Sequence, residues 1–137
     1  MTDVSKLRFI VLRCTYAFIA IGQTLVFWPK LLAHSIPWAL NYGDAGAMLA
    51  ATAIPMAFGI RYPLKMLPIM LYEFTWKVLW IAAIYVPIAR AGQVDAATRE
   101  SMVNVTLGVI VCGLAIPWGY VWKRYVVERA ESTLPAA

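Results

Sequence analysis

The sequence predicts an all-α integral membrane protein, a four-helix bundle with both termini cytoplasmic. Three observations predict it. Apolar residues make up 62% of the 137 residues, against about 45–50% in soluble domains. Four apolar runs each approach the roughly 20 residues that a helix needs to cross hydrocarbon. Lys and Arg also gather at one set of run ends. Lys6, Arg8, Arg13, Arg61, Lys65, Lys123, Arg124 and Arg129 lie on one side, against Lys30, Arg90 and Arg99 on the other. An excess of Lys and Arg marks the cytoplasmic side. The whole chain, 1–137, reads as a single membrane domain in a cell's inner (plasma) membrane.

Span one is expected over about 9–28, ending at Pro29. The basic start and apolar stretch could form a signal peptide, but Arg13 interrupts a compact apolar region and no A-x-A site follows. The segment therefore reads as a retained helix. Span two is expected over about 44–60, with Asp44 as its cap. Arg61, Tyr62 and Pro63 end it, because a residue before proline avoids the helical region. Span three is expected over about 66–86, closed by Pro87, and span four over about 102–122. Prolines at 55, 68 and 117 fall within or near the spans. Membrane helices tolerate them when neighbours satisfy the freed carbonyls. Between spans one and two, 29–43 reads as a short interfacial helix, with Trp38 and Tyr42 at the headgroups. Asp95 can cap the helix that runs into span four. The tail, 132–137, reads as frayed.

Glu73 and Lys77 stand in the middle of span three. A charge at a span's centre costs about 2.5–3.5 kcal/mol on insertion scales. Four residues apart, the two share one helix face and can pair. Their stripe includes Met66, Ile69, Met70, Trp76, Trp80 and Ile84. It reads as a packing face whose ion pair fixes register, or as the wall of a pocket for an amphipathic or aromatic ligand. Trp76 or Trp80 could shelter Lys77 through a cation–π contact. Span one contributes a second polar stripe with Arg13, Tyr16 and Gln23. Counting about 1.5 Å per residue from the run ends puts Tyr16 level with Glu73. Glu73 is therefore expected to meet Lys77, Arg13 or Tyr16.

Small residues mark two more faces: Gly46, Ala50, Ala53 and Ala57 in span two, and Gly108, Cys112, Ala115 and Gly119 in span four. Such spacing lets membrane helices approach closely. Spans two and four are thus expected to pack tightly, within the bundle or between protomers. Asn104 lies on the same side of span four. Cys14 and Cys112 read as small buried hydrophobes, with no disulfide.

The net charge of +5 does not point to nucleic acid, because the basic residues flank apolar runs instead of forming a patch. The single histidine, His34, is too little for a metal site or a haem ligand set. Phosphate-binding loops and the H-E-x-x-H and G-x-S-x-G motifs are absent, and no cofactor is expected. Gly43-Asp44-Ala45-Gly46 reads as a helix start.

The start LRCTYAFIAIGQTLVFWPKLL, with Gly22 in the span and Lys30 after it, resembles the DoxX-like group of small four-helix bacterial membrane proteins. That resemblance implies the four-helix layout more than an activity; some members lie near quinone redox chemistry. The block FGIRYPLKMLPIMLYEFTWKVLW is more distinctive and points to no characterised family.

Three functions compete. The chain could be a non-catalytic subunit that binds other membrane subunits or itself through its small-residue faces. It could be an oligomeric carrier of a small amphipathic ligand, using Glu73. It could also be a membrane enzyme acting on a lipid or quinone-like substrate, with Glu73 and Lys77 as acid and base. The partner common to all three is the lipid bilayer.

Overall fold

The computed structural model describes residues 4–33 and 40–128, and of 40–42 the backbone only. Five helices account for most of them, with no strand among the described residues. Helix α1 is Lys6–Ala33 and α2 is Leu40–Arg61. Helix α3 is Leu67–Arg90, α4 is Ala96–Ala115 and α5 is Trp118–Val127. Three of these rods are long and apolar enough to cross a membrane, and a fourth is if α4 and α5 form one bent span.

The prolines behave differently from the sequence expectation. Helix α1 runs through Pro29 to Ala33 instead of stopping at Trp28. Helix α3 runs through Pro87 to Arg90 instead of closing there. Pro87 has no N–H for the helical ladder, and the turn before it, Ile81–Tyr85, widens to π-helical geometry. The Val86 N–H reaches the Ile81 carbonyl, five residues back. Such single π turns let a helix absorb an irregularity without ending.

Span four departs furthest from expectation. It is not one helix over 102–122. Ile116 is extended, and α5 leaves α4 at 74°. Pro117 cannot supply the N–H that the Gly113 carbonyl would receive in a continued helix. The Trp118 indole donates to that carbonyl instead, at 2.8 Å. Arg8 and the Trp118 N–H both donate to the Ile116 carbonyl, at 3.3 and 3.0 Å. The break is thus satisfied by neighbours, and the Trp118 ring meets Phe74 edge-on at 5.2 Å.

The other ends follow local chemistry. Helix α2 starts at Leu40, so Asp44 lies a turn inside it and is not its cap. It ends at Arg61, before Tyr62 and Pro63, as expected. After α3, Gly92 takes a left-handed conformation, φ +68°. The Gln93 and Gly92 N–H groups return to the Ile88 and Ala89 carbonyls, the paired bonds of a Schellman stop. Asp95 then caps α4, accepting from the Thr98 N–H at 2.7 Å. Its carboxyl is held below the usual range by hydrogen bonds from Thr98. The expected interfacial helix over 29–43 is partly resolved into the ends of α1 and α2; its centre, with His34 and Trp38, lies outside the described residues. So do Arg129 and the tail.

Contacts between named residues fix the arrangement. Tyr16 meets Gly59 and Gln23 meets Thr52, so α1 and α2 are antiparallel neighbours. Gln23 reaches Glu73 and Tyr16 reaches Pro63, so α1 and α3 run parallel. Lys77 faces Gly108 and Phe74 faces Gly113, so α4 runs back along α3. Helix α2 packs chiefly on α1, and α4 chiefly on α3. The two helices with small-residue faces, α2 and α4, thus take different neighbours within the chain.

The apolar core sits at one end of the bundle. Leu12, Tyr16, Met56, Leu67, Met70, Cys112 and Ile116 are buried together there. Outward faces remain apolar: Phe18, Ile21 and Leu25 on α1, and Val103, Leu107, Ile110 and Leu114 on α4, are exposed. Cys14, expected to be buried, lies on such an outward face, whereas Cys112 is buried.

Candidate functional site

A polar cluster lies beyond the apolar core, where α1, α2 and α3 meet. Glu73 and Lys77 are 2% and 8% exposed. Their i,i+4 spacing on α3 brings the ammonium directly onto Glu73 Oε1. Gln23 Nε2 donates to the same oxygen at 3.1 Å. The Trp76 indole donates to Oε2 at 3.0 Å. Both carboxylate oxygens are therefore engaged, by three donors. Thr52 on α2 closes the chain, donating to Gln23 Oε1 at 3.0 Å, with the Leu49 carbonyl as a second acceptor at 2.8 Å. Gln23 thus points its amide towards Glu73 and its oxygen towards Thr52. Among the described residues no buried polar side-chain atom lacks a partner.

Lys77 has two further neighbours. Its ammonium stands over the Trp76 ring, 4.4 Å from the centroid. Such a contact strengthens to about 2 kcal/mol when water is excluded. Its alkyl stem passes over Gly108 of α4, where a Cβ would come within 2.4 Å of Cε. Gly108 therefore makes room for a lysine stem, and not for the backbone of a neighbouring helix. The magnitudes rank the interactions. Hydrogen bonds between membrane helices average about 0.6 kcal/mol. Removing one member of a buried ion pair costs about 3–5 kcal/mol. The pair dominates the cluster, while Gln23 and Thr52 direct it towards α1 and α2.

Of the residues anticipated for a polar centre, the structure brings together Glu73, Lys77, Trp76 and Gln23. It leaves out three. Arg13 is exposed on α1, its guanidinium over the Phe9 ring at 5.7 Å. Tyr16 is fully buried but donates to the Pro63 carbonyl at 2.9 Å, two turns away from Gln23. Trp80 stacks on Tyr85 at 6.2 Å, outside the cluster. Thr52 joins it unanticipated; its only sequence signal is a hydroxyl among small residues. Of the small-residue faces, Gly46, Ala50, Ala53, Cys112 and Ala115 are buried within the chain, and Gly108 is partly so. Ala57 and Gly119 are exposed. Gly59 was missed: a Cβ there would fall 2.2 Å from the Tyr16 ring. No group of three or more His, Cys, Asp or Glu residues that could hold a metal ion occurs among the described residues.

A second feature lies on the outer side of α1 and α2. An apolar groove of about 630 Å³ runs past Thr24, Trp28, Ala53, Ala57 and Phe58 to Arg61. The Trp28 indole ties the two helices beside it, donating to the Ala50 carbonyl at 3.0 Å. None of the residues that line the groove belongs to the Glu73 cluster.

Together these features define an all-helical chain with helices apolar enough to cross a membrane and a hydrogen-bonded ionic centre. No protein-family model matches the chain, and no curated protein or solved structure proved similar to it.

Proposed function

We propose that the chain is a multi-pass protein of the inner (plasma) membrane, with both ends cytoplasmic, acting as a non-catalytic subunit of a larger membrane complex or homo-oligomer. The apolar outward faces of α1 and α4 suit lipid or a neighbouring helix. The Lys and Arg distribution supports the orientation. The observation that carries the subunit reading is the closed state of the polar centre. Both Glu73 oxygens are taken by donors from the same chain, so the pair acts as a joint between helices. A substrate would have to displace one of those donors before meeting the carboxylate. The DoxX-like layout belongs to the same proposal and adds no activity to it.

Gentle extraction followed by native mass measurement tests the reading. A discrete assembly with other membrane chains, or a homo-oligomer without a small molecule, is the expected result. A monomer with no partner would refute it.

One observation favours a carrier as the second reading: an ionisable pair buried mid-span is costly to keep for structure alone. The variants Glu73→Gln and Lys77→Met separate the two. Each alone should lose about 3–5 kcal/mol of stability, and the pair combined should recover much of it. If the joint is structural, the combined variant also keeps its assembly state and function. If Glu73 carries a proton or ligand, stability returns and function does not.

A further inference from the structure

We propose that the groove between α1 and α2 is a binding site for one anionic phospholipid. The inference rests on the membrane reading above and adds a ligand to it. The groove is apolar over the stretch from Ala53 to Phe58 and ends at Arg61, the last residue of α2. Eight residues of helix separate Ala53 from Arg61, about 12 Å of rise. That length accommodates much of one acyl chain. Ala53 and Ala57 keep the space open, because neither carries atoms beyond Cβ.

Arg61 lines the end of the groove, and Lys65, outside the lining, shares the Tyr62 ring with it. Arg61 and Lys65 each stand 5.6 Å from the Tyr62 centroid. All three side chains are exposed. Among the described residues, neither cation meets a carboxylate. In the proposed orientation they stand at the cytoplasmic headgroup level, where anionic lipid is concentrated. A phosphodiester on Arg61 and Lys65 would therefore lie directly above an acyl chain in the groove. An apolar chain alone gives no selectivity in a bilayer, since any lipid supplies one. The headgroup charge must supply it. At about 1 kcal/mol each, two cations near the surface are worth roughly a 30-fold preference for an anionic over a zwitterionic headgroup.

The test is native mass spectrometry of the full chain in mild detergent, titrated separately with phosphatidylglycerol and phosphatidylcholine. The expected result is one retained phosphatidylglycerol, bound roughly 30-fold more tightly than phosphatidylcholine. Arg61→Gln with Lys65→Gln should equalise the two lipids, while Lys30→Gln with Arg90→Gln should leave the preference intact. Ala57→Phe, which fills the groove, should weaken retention of both lipids. Arg61→Lys preserves the charge and should keep the preference, which guards against reading a folding defect as a lost site. Equal binding of both lipids by the unaltered chain would overturn the proposal. So would a preference that survives loss of Arg61 and Lys65. A chain that retains lipid without preference would still be a membrane protein, so failure here is distinguishable from failure of the membrane reading.

Discussion

Gly108→Ala should destabilise the protein, and the damage should depend on Lys77. The added methyl would stand 2.4 Å from Lys77 Cε and 2.8 Å from Cδ. Ordinary carbon contacts begin near 3.4 Å, so the stem must move by about 1 Å. A free lysine would swing away at little cost. This one is held at its tip by Glu73 and by the Trp76 face. The expected loss is that of overpacking, about 1–3 kcal/mol, below the roughly 3–5 kcal/mol for losing an ion-pair partner outright. The gain in helix propensity from Gly to Ala, about 1 kcal/mol at most, acts the other way. The assay is thermal or denaturant unfolding in detergent, in two backgrounds. In the unaltered chain Gly108→Ala should lower stability. With Glu73→Gln and Lys77→Ala already present, the stem is gone and only the propensity gain remains, so the same change should be neutral to mildly stabilising. Gly22, where an added methyl meets nothing within 4 Å, provides the control. Equal losses in both backgrounds would refute the assignment of Gly108 to the lysine stem.

Gly59→Ala should cost more than Gly108→Ala, because the methyl would fall 2.2 Å from a fully buried Tyr16 ring that is also anchored to Pro63; comparison of unfolding midpoints checks the order. A cysteine at Gln93 should react with an impermeant reagent in sealed cells, and one at Lys65 should not; labelling at Lys65 would reverse the proposed orientation. Asp95 has a lowered folded-state pKa, so its contribution is present above the unfolded value near 3.9 and is lost as pH falls through the folded value. Asp95→Asn should therefore lower stability modestly at neutral pH and flatten the acid limb, with the two proteins converging at low pH.

Much of this was legible in the residues themselves. The Glu73–Lys77 pair follows from spacing on one helix face, and the Asp95 cap from its place before an apolar helix. The partner on α1 was harder. Estimating depth from the ends of the apolar runs puts Tyr16 beside Glu73, but the true neighbour is Gln23, two turns further on. Gln23 lies 17 residues from the start of α1 and Glu73 only 6 from the start of α3, so the two helix starts are not level. Hydrophobic patterning locates a run without locating its register against another. Thr52 was invisible for a similar reason, since a hydroxyl in a helix commonly bonds its own backbone. The prolines exposed a different limit. Pro29 and Pro87 are passed and Pro117 is not, although each lacks the same N–H. At Pro117 the broken geometry has its own partners, the Trp118 indole on the Gly113 carbonyl and Arg8 on the Ile116 carbonyl, and the second comes from a helix far away in sequence.

The Gln23–Thr52 link has a consequence for how the chain is made. Membrane chains are synthesised from the N-terminus, and early segments are available before later ones emerge. The α1–α2 hairpin therefore holds its amide and hydroxyl in place before α3 arrives with its two charges. In the membrane reading proposed above, Glu73 would then enter a bilayer that already contains a donor for it. Lys77 keeps an open flank until α4 follows and lays Gly108 against the stem. The order of the segments along the chain is thus also an order of shelter for its most costly residues.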